Sequence, residues 1–142
     1  MPVTVERKYK AVSSTPQAAR TSVAELLRAW EAGSDETDIA CLLTSEVVSN
    51  AVIHAGGEIG LRLTLAPPVL VVEVSDSSPA LPHRLPLSPE SERGRGLFVV
   101  EALSRRWGAH RRPGGKVVWF EVLVSADEAV PELIDIGPRL AS

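Results

Sequence analysis

Between residues 59 and 65 (IGLRLTL) every odd position is apolar and every even one is not. A period of two over this length predicts a strand with one face in a core. Residues 69–75 (VLVVEVS), after a Pro67-Pro68 turn, predict a more deeply buried strand, and 117–124 (VVWFEVLV) predict another. Residues 3–11 (VTVERKYKA) alternate more loosely and read as an edge strand. Two segments switch to the helical period. Ser14-Thr15-Pro16 combines a hydroxyl cap with proline in the first turn, and Ala19, Val23, Leu26, Leu27 and Trp30 follow on one stripe until Gly33. A second helix runs from about Ser34-Asp35 to Ala55, where Gly56-Gly57 stops it; its apolar stripe is Ile39, Leu42, Leu43 and Ile53. From Asp76 to Gly94 the pattern vanishes into a proline-rich loop of a length that in a compact domain calls for a functional reason. Helical spacing resumes at Leu97 and ends near Trp107-Gly108; 109–113 is a short strand candidate, and Pro113-Gly114-Gly115 is a hairpin turn. The order β-α-α-β-β-loop-α-β-β implies an α+β fold: a two-layer α/β sandwich with helices on one face of a mixed, mostly antiparallel sheet. Residues 1–124 form the domain, and 125–142, with Pro131, Gly137 and Pro138, a loosely held tail.

Composition narrows the class. The chain has 142 residues, 44% hydrophobic and 23% charged, which suits one globular domain. A net charge of -3 argues against a broad grip on nucleic acid. Cys41 is the only cysteine, so there is no internal disulfide and no multi-cysteine zinc cage. No apolar run approaches the ~20 residues of a membrane helix, and residues 1–10 do not resemble a signal peptide. The expectation is a cytoplasmic protein without a membrane partner.

Three features sit uneasily with a purely structural role. Glu46 and Asn50 fall one turn apart inside the apolar stripe of the second helix, where an unpartnered carboxylate is costly. They face a wet cleft or a ligand, or Glu46 meets an arginine elsewhere. His54 continues the line and, alone, suits a helix C-terminus, where it meets carbonyls and the dipole. Asp76 shares the parity of Leu70, Val72 and Val74 and stands where the strand meets the long loop. It either accepts a hydrogen bond from an exocyclic amine such as adenine N6 or caps its own backbone. Gly94-Arg95-Gly96, preceded by Arg93, opens a helix, where backbone N–H groups and the dipole favour an anion; a loop needing positive φ twice is the alternative. Gly114-Gly115-Lys116 is no phosphate loop, because Val117 and a strand follow.

The succession of these features resembles the GHKL (Bergerat-fold) ATPases and, within them, the small bacterial anti-sigma-factor serine/threonine kinases with a histidine-kinase-like ATPase domain. The matching text is EVVSNAVIHAG (46–56), VEVSDSSPALP (72–82), RGRGLFVVEAL (93–103) and GGKVVWFEV (114–122). The resemblance implies ATP and Mg²⁺ as cofactors. It gives Asn50 the metal, Glu46 the role of general base toward a serine hydroxyl, and Asp76 the adenine amine. Gly94, Arg95, Gly96 and Leu97 would line the phosphates, with His54, Ser78, Ala80 and Arg93 also at nucleotide-binding positions. It further implies a sigma factor and an anti-anti-sigma (STAS) protein as partners, the latter phosphorylated and the former sequestered, and a possible homodimer. The alternative is a nucleotide-dependent binding module without kinase activity. Two departures stand out. The family's D-x-G-x-G box reads Asp76-Ser77-Ser78-Pro79-Ala80, and its last threonine is replaced at Val117, with Lys116 before it. Losing that hydroxyl beside the base is expected to weaken ATP binding by about 1 kcal/mol.

Overall fold

The computed structural model describes residues 2–79 and 92–125, and for 92–97 the backbone alone. In chain order the elements are β1 (Val3–Lys10), α1 (Thr15–Ala29), α2 (Ser34–His54), β2 (Glu58–Ala66), β3 (Val69–Asp76), α3 (Glu92–Leu103), β4 (Arg106–Arg112) and β5 (Gly115–Leu123). The strands form one sheet in the order β1-β2-β3-β5-β4, and every neighbouring pair is antiparallel. This is the α+β sandwich expected from the element order. Ala80, most of the proline-rich loop and the tail after residue 125 lie outside the described residues.

Strand parity decides which face meets the helices. Ile59, Leu61, Leu63 and Leu65 of β2, Leu70, Val72 and Val74 of β3, and Val118, Phe120 and Val122 of β5 are all buried. Their cross-strand partners continue the layer: Leu63 faces Val72 and Val72 faces Phe120. Against this layer lie Ala40, Leu43, Val47, Val48 and Ala51 of α2, backed by Ala19, Val23 and Leu27 of α1. The other sheet face carries Arg62, Glu73, Trp119 and Glu121. There Arg62 bridges Glu6 at 2.9 Å and Glu73 at 3.6 Å, and Arg106 reaches Glu121 at 3.2 Å while lying over the Trp119 ring. Glu6, Arg62 and Arg106 are exposed and Glu73 and Glu121 half-buried, so each pair lies at the surface and adds little stability.

Several local expectations change. The buried face of α2 is not the stripe of Ile39, Leu42, Leu43 and Ile53, because Leu42 and Ile53 are 39% and 58% exposed. The face that packs is Ala40, Leu43, Thr44, Val47, Val48 and Ala51. Its small side chains let the helix approach the sheet and α1 closely, so size, not hydrophobicity alone, fixes the rotation. Trp107 is not the end of a helix. Ser104 N–H closes α3 on Val100 O, Arg105 N–H then donates to Glu121 O at 2.7 Å, and Trp107 lies in β4 opposite Phe120. Likewise α3 starts at Glu92, not Leu97.

Ser14 makes no side-chain cap; Thr15 Oγ1 instead accepts from Val12 N–H and donates to Lys10 O. Gly33 does not end α1, which stops at Ala29. It is the N-cap residue of α2, and its N–H donates to Ser125 O at 3.0 Å.

The hairpin between β4 and β5 turns at Pro113-Gly114, where Gly114 has φ +84°. Gly115 has a different reason to be glycine: a Cβ there would lie 1.8 Å from the backbone oxygen of Asp76. Gly115→Ala is therefore expected to destabilise by at least the ~1–3 kcal/mol of an overpacked interior site. A denaturant midpoint close to that of the parent would contradict it.

Candidate functional site

The C-terminal end of α2, the end of β3 and the start of β5 converge. Ser77 Oγ donates to Gly56 O at 3.0 Å, joining the residue after Asp76 to the chain just beyond α2. Ala11 N–H donates to Gly57 O at 2.9 Å and anchors the same corner to the end of β1. Arg111 Nε donates to Pro79 O at 2.9 Å and holds the start of the long loop against β4.

Asp76 lies on the helix side of the sheet, as its parity with Val72 and Val74 predicts, and is 3% exposed. Its Oδ1 accepts Ser78 N–H at 2.8 Å, so it does cap its own loop. It has a second partner that sequence reasoning missed. Lys116 Nζ lies 3.0 Å from Oδ1 and 2.9 Å from Oδ2, and both side chains are almost wholly buried. A signal was available: Lys116 shares parity with Val118, Phe120 and Val122, so an inward-facing strand puts its amine inside. The register pairs Asp76 with Lys116 directly. This corrects the expectation at Val117. That residue lies on the opposite face of the sheet, beside Ser75 and His110. The side chain beside Asp76 is an ammonium, so no hydroxyl is lost there to a valine.

Glu46 and Asn50 are both half-buried on the flank of α2 that also carries Leu42 and Ile53, not within its buried stripe. One turn separates them, so they project to the same side. Among the described residues Glu46 has no ion pair and the Asn50 amide no hydrogen bond; the arginine partner considered for Glu46 is not found. His54 is exposed at the last residue of α2, with no side-chain bond to the helix carbonyls among the described contacts. Ser78 is half-buried beside Asp76. Arg93, Gly94, Arg95, Gly96 and Leu97 all fall inside the first turns of α3, and their side chains lie outside the described residues. That helix packs on α2, and its Val99 and Val100 join the core.

The donor set suits a nucleotide better than a protein-held metal. No group of three or more His, Cys, Asp or Glu side chains capable of holding a metal is found among the described residues. A single amide is a normal protein contribution to Mg²⁺ already bound to phosphates, since Mg²⁺ keeps most of its water and phosphate ligands. Cys41 takes no part. Burial, and then the nearby Asp38 charge, push its thiol pKa up, and it donates to Arg20 O between α1 and α2.

Among the described residues no helix is long and apolar enough to cross a membrane. No match is found among curated proteins. A solved structure of the RsbU and RsbW domains of Rv1364c from Mycobacterium tuberculosis is similar at TM-score 0.68 and 19% identity. The match covers 87% of this chain and 33% of that one, so the chain spans a third of that structure's length. At this identity the likeness is one of fold. The model of the histidine kinase-like ATPase domain matches residues 11–122, a span that takes in α2 with Glu46 and Asn50, Asp76, and the start of β5. The chain therefore belongs to the histidine kinase-like ATPase domain family, the Bergerat-fold GHKL ATPases.

Proposed function

We propose that this domain binds Mg·ATP between α2 and the β3–β5 end of the sheet and transfers its terminal phosphoryl group to a serine or threonine of a partner protein. The observation that carries this reading is the juncture just described. A buried carboxylate ends β3, and the next residue, Ser77, is hydrogen-bonded to Gly56, two residues beyond the end of the helix that bears Glu46 and Asn50. Phosphoryl transfer needs positioning and charge neutralisation more than covalent chemistry from the protein. Bound Mg²⁺ supplies that neutralisation. Asn50 would hold it, Glu46 would take the hydroxyl proton of the incoming side chain, and Asp76 would accept from the adenine amine. Gly94, Arg95 and Gly96, at the start of α3, would face the phosphates.

The fold likeness to a structure containing an RsbW domain, together with the resemblance to anti-sigma-factor kinases, supports a regulatory role. In that role the phosphorylated partner is a STAS-type antagonist and the sequestered one a sigma factor. A nucleotide-dependent binding module without transfer is the second reading. Ser78 and Ala80, in place of two glycines with Pro79 between them, favour it.

Calorimetric titration tests the common core of both. Mg·ATP is expected to bind, and Asn50→Ala is expected to remove the magnesium dependence of that binding. Since the Asn50 amide has no partner among the described residues, the variant should melt within about 0.5 kcal/mol of the parent. Unchanged magnesium-dependent affinity would exclude Asn50 as the ligand.

A further inference from the structure

The inward cross-strand pairs of β3 and β5 run Leu70–Val122, Val72–Phe120 and Val74–Val118, and then Asp76–Lys116. Three apolar pairs are followed by a buried ion pair at the place where the sheet meets the proposed nucleotide. A buried ion pair is rarely more stabilising than an apolar pair of the same volume, so stability alone does not account for it. Among the described residues its hydrogen bonds are also incomplete. A carboxylate offers about four acceptor positions and an ammonium three N–H groups. Asp76 Oδ1 accepts from Ser78 N–H and from Lys116 Nζ, and Oδ2 lies in ion-pair contact with Nζ at 2.9 Å. Among the described residues at least one acceptor position on Oδ2 and one N–H on Nζ remain, side by side.

We propose that Lys116 is a base-reading residue. With Asp76 accepting from the exocyclic amine of adenine, the remaining N–H of Lys116 donates to the adjacent ring nitrogen, N1. The Watson–Crick edge of adenine presents that neighbouring donor and acceptor, and the Asp76–Lys116 pair presents the complement. The inference rests on the nucleotide site proposed above and adds to it a specificity determinant that Asp76 alone does not provide. Two charged groups held in place by each other also need little reorganisation when the base arrives.

The test compares Mg·ATP with Mg·1-deaza-ATP, which has carbon in place of N1, by calorimetry on the full chain. The unmodified protein is expected to bind the deaza analogue about tenfold or more weakly, the usual discrimination for a hydrogen bond from a charged donor. Lys116→Met is expected to bind both nucleotides alike, no more tightly than the parent binds the analogue; its melting curve establishes that it is folded. Equal binding of the two nucleotides by the parent overturns the role of Lys116 while leaving the nucleotide site standing, and this arm needs no variant. Tighter ATP binding by Lys116→Met also overturns it, because the ammonium would then be filling the base's place. Failure of the parent to bind either nucleotide overturns both the site and the inference.

Discussion

Glu46→Gln is expected to bind Mg·ATP like the parent and to lose about 10²–10⁴-fold in phosphoryl transfer to a cognate partner, the usual contribution of a positioned general base. The structure makes the substitution a clean one. Glu46 is half-buried and has no ion pair among the described residues, so removing its charge orphans no partner among them. Glutamine keeps the shape and the helix propensity of the position. A folded, ATP-binding variant with no transfer would isolate the proton-accepting role. Single-turnover transfer with radiolabelled ATP reads the effect directly. Undiminished transfer would remove Glu46 from the chemistry and leave the binding-module reading in place.

Asp76→Ala is expected to destabilise the fold by about 3–5 kcal/mol, because it leaves the Lys116 ammonium buried without its counter-ion. It also takes the acceptor from Ser78 N–H. For a domain of this size that corresponds to a fall in Tm on the order of 10–20 °C. The double variant Asp76→Val with Lys116→Met is expected to recover most of the loss, since it extends the apolar pairs of β3 and β5 by one more rung. Chemical denaturation of the two variants and the parent checks this as a cycle. A single variant as stable as the parent would mean that Lys116 escapes to solvent. A stable double variant that no longer binds ATP would separate the pair's part in recognition from its part in folding.

The sheet was readable because its signal is local: strict alternation at 59–65 and an apolar run at 69–75 leave one choice of inward face. Asp76 followed from the same rule. Lys116 did not, although the rule applies equally to it, because a lysine in an apolar strand is usually turned outward and its partner lies 40 residues back. The rotation of α2 is illegible for a different reason. Ala40, Thr44 and Ser45 carry weak hydrophobic signals yet occupy the close-packed face, whereas Leu42 and Ile53 carry strong ones on the flank. Glu46 and Asn50 read as anomalies within a stripe. They belong to a mixed flank beside it, a place where polar groups cost less and remain reachable. Trp107 reads as helical because its spacing from Val99, Val100 and Leu103 fits that period. The pairing with β5 that claims it is long-range and leaves no local trace.

The outermost strands of the sheet, β1 and β4, each have one side unpaired within the described residues, and both are dense in charge. β1 carries Glu6, Arg7, Lys8 and Lys10, and β4 carries Arg106, Arg111 and Arg112. An extended peptide approaching either border would have to strip water from those side chains before its backbone found a partner. The sheet is thereby guarded against templating its own aggregation while its interior strands remain as greasy as a core requires.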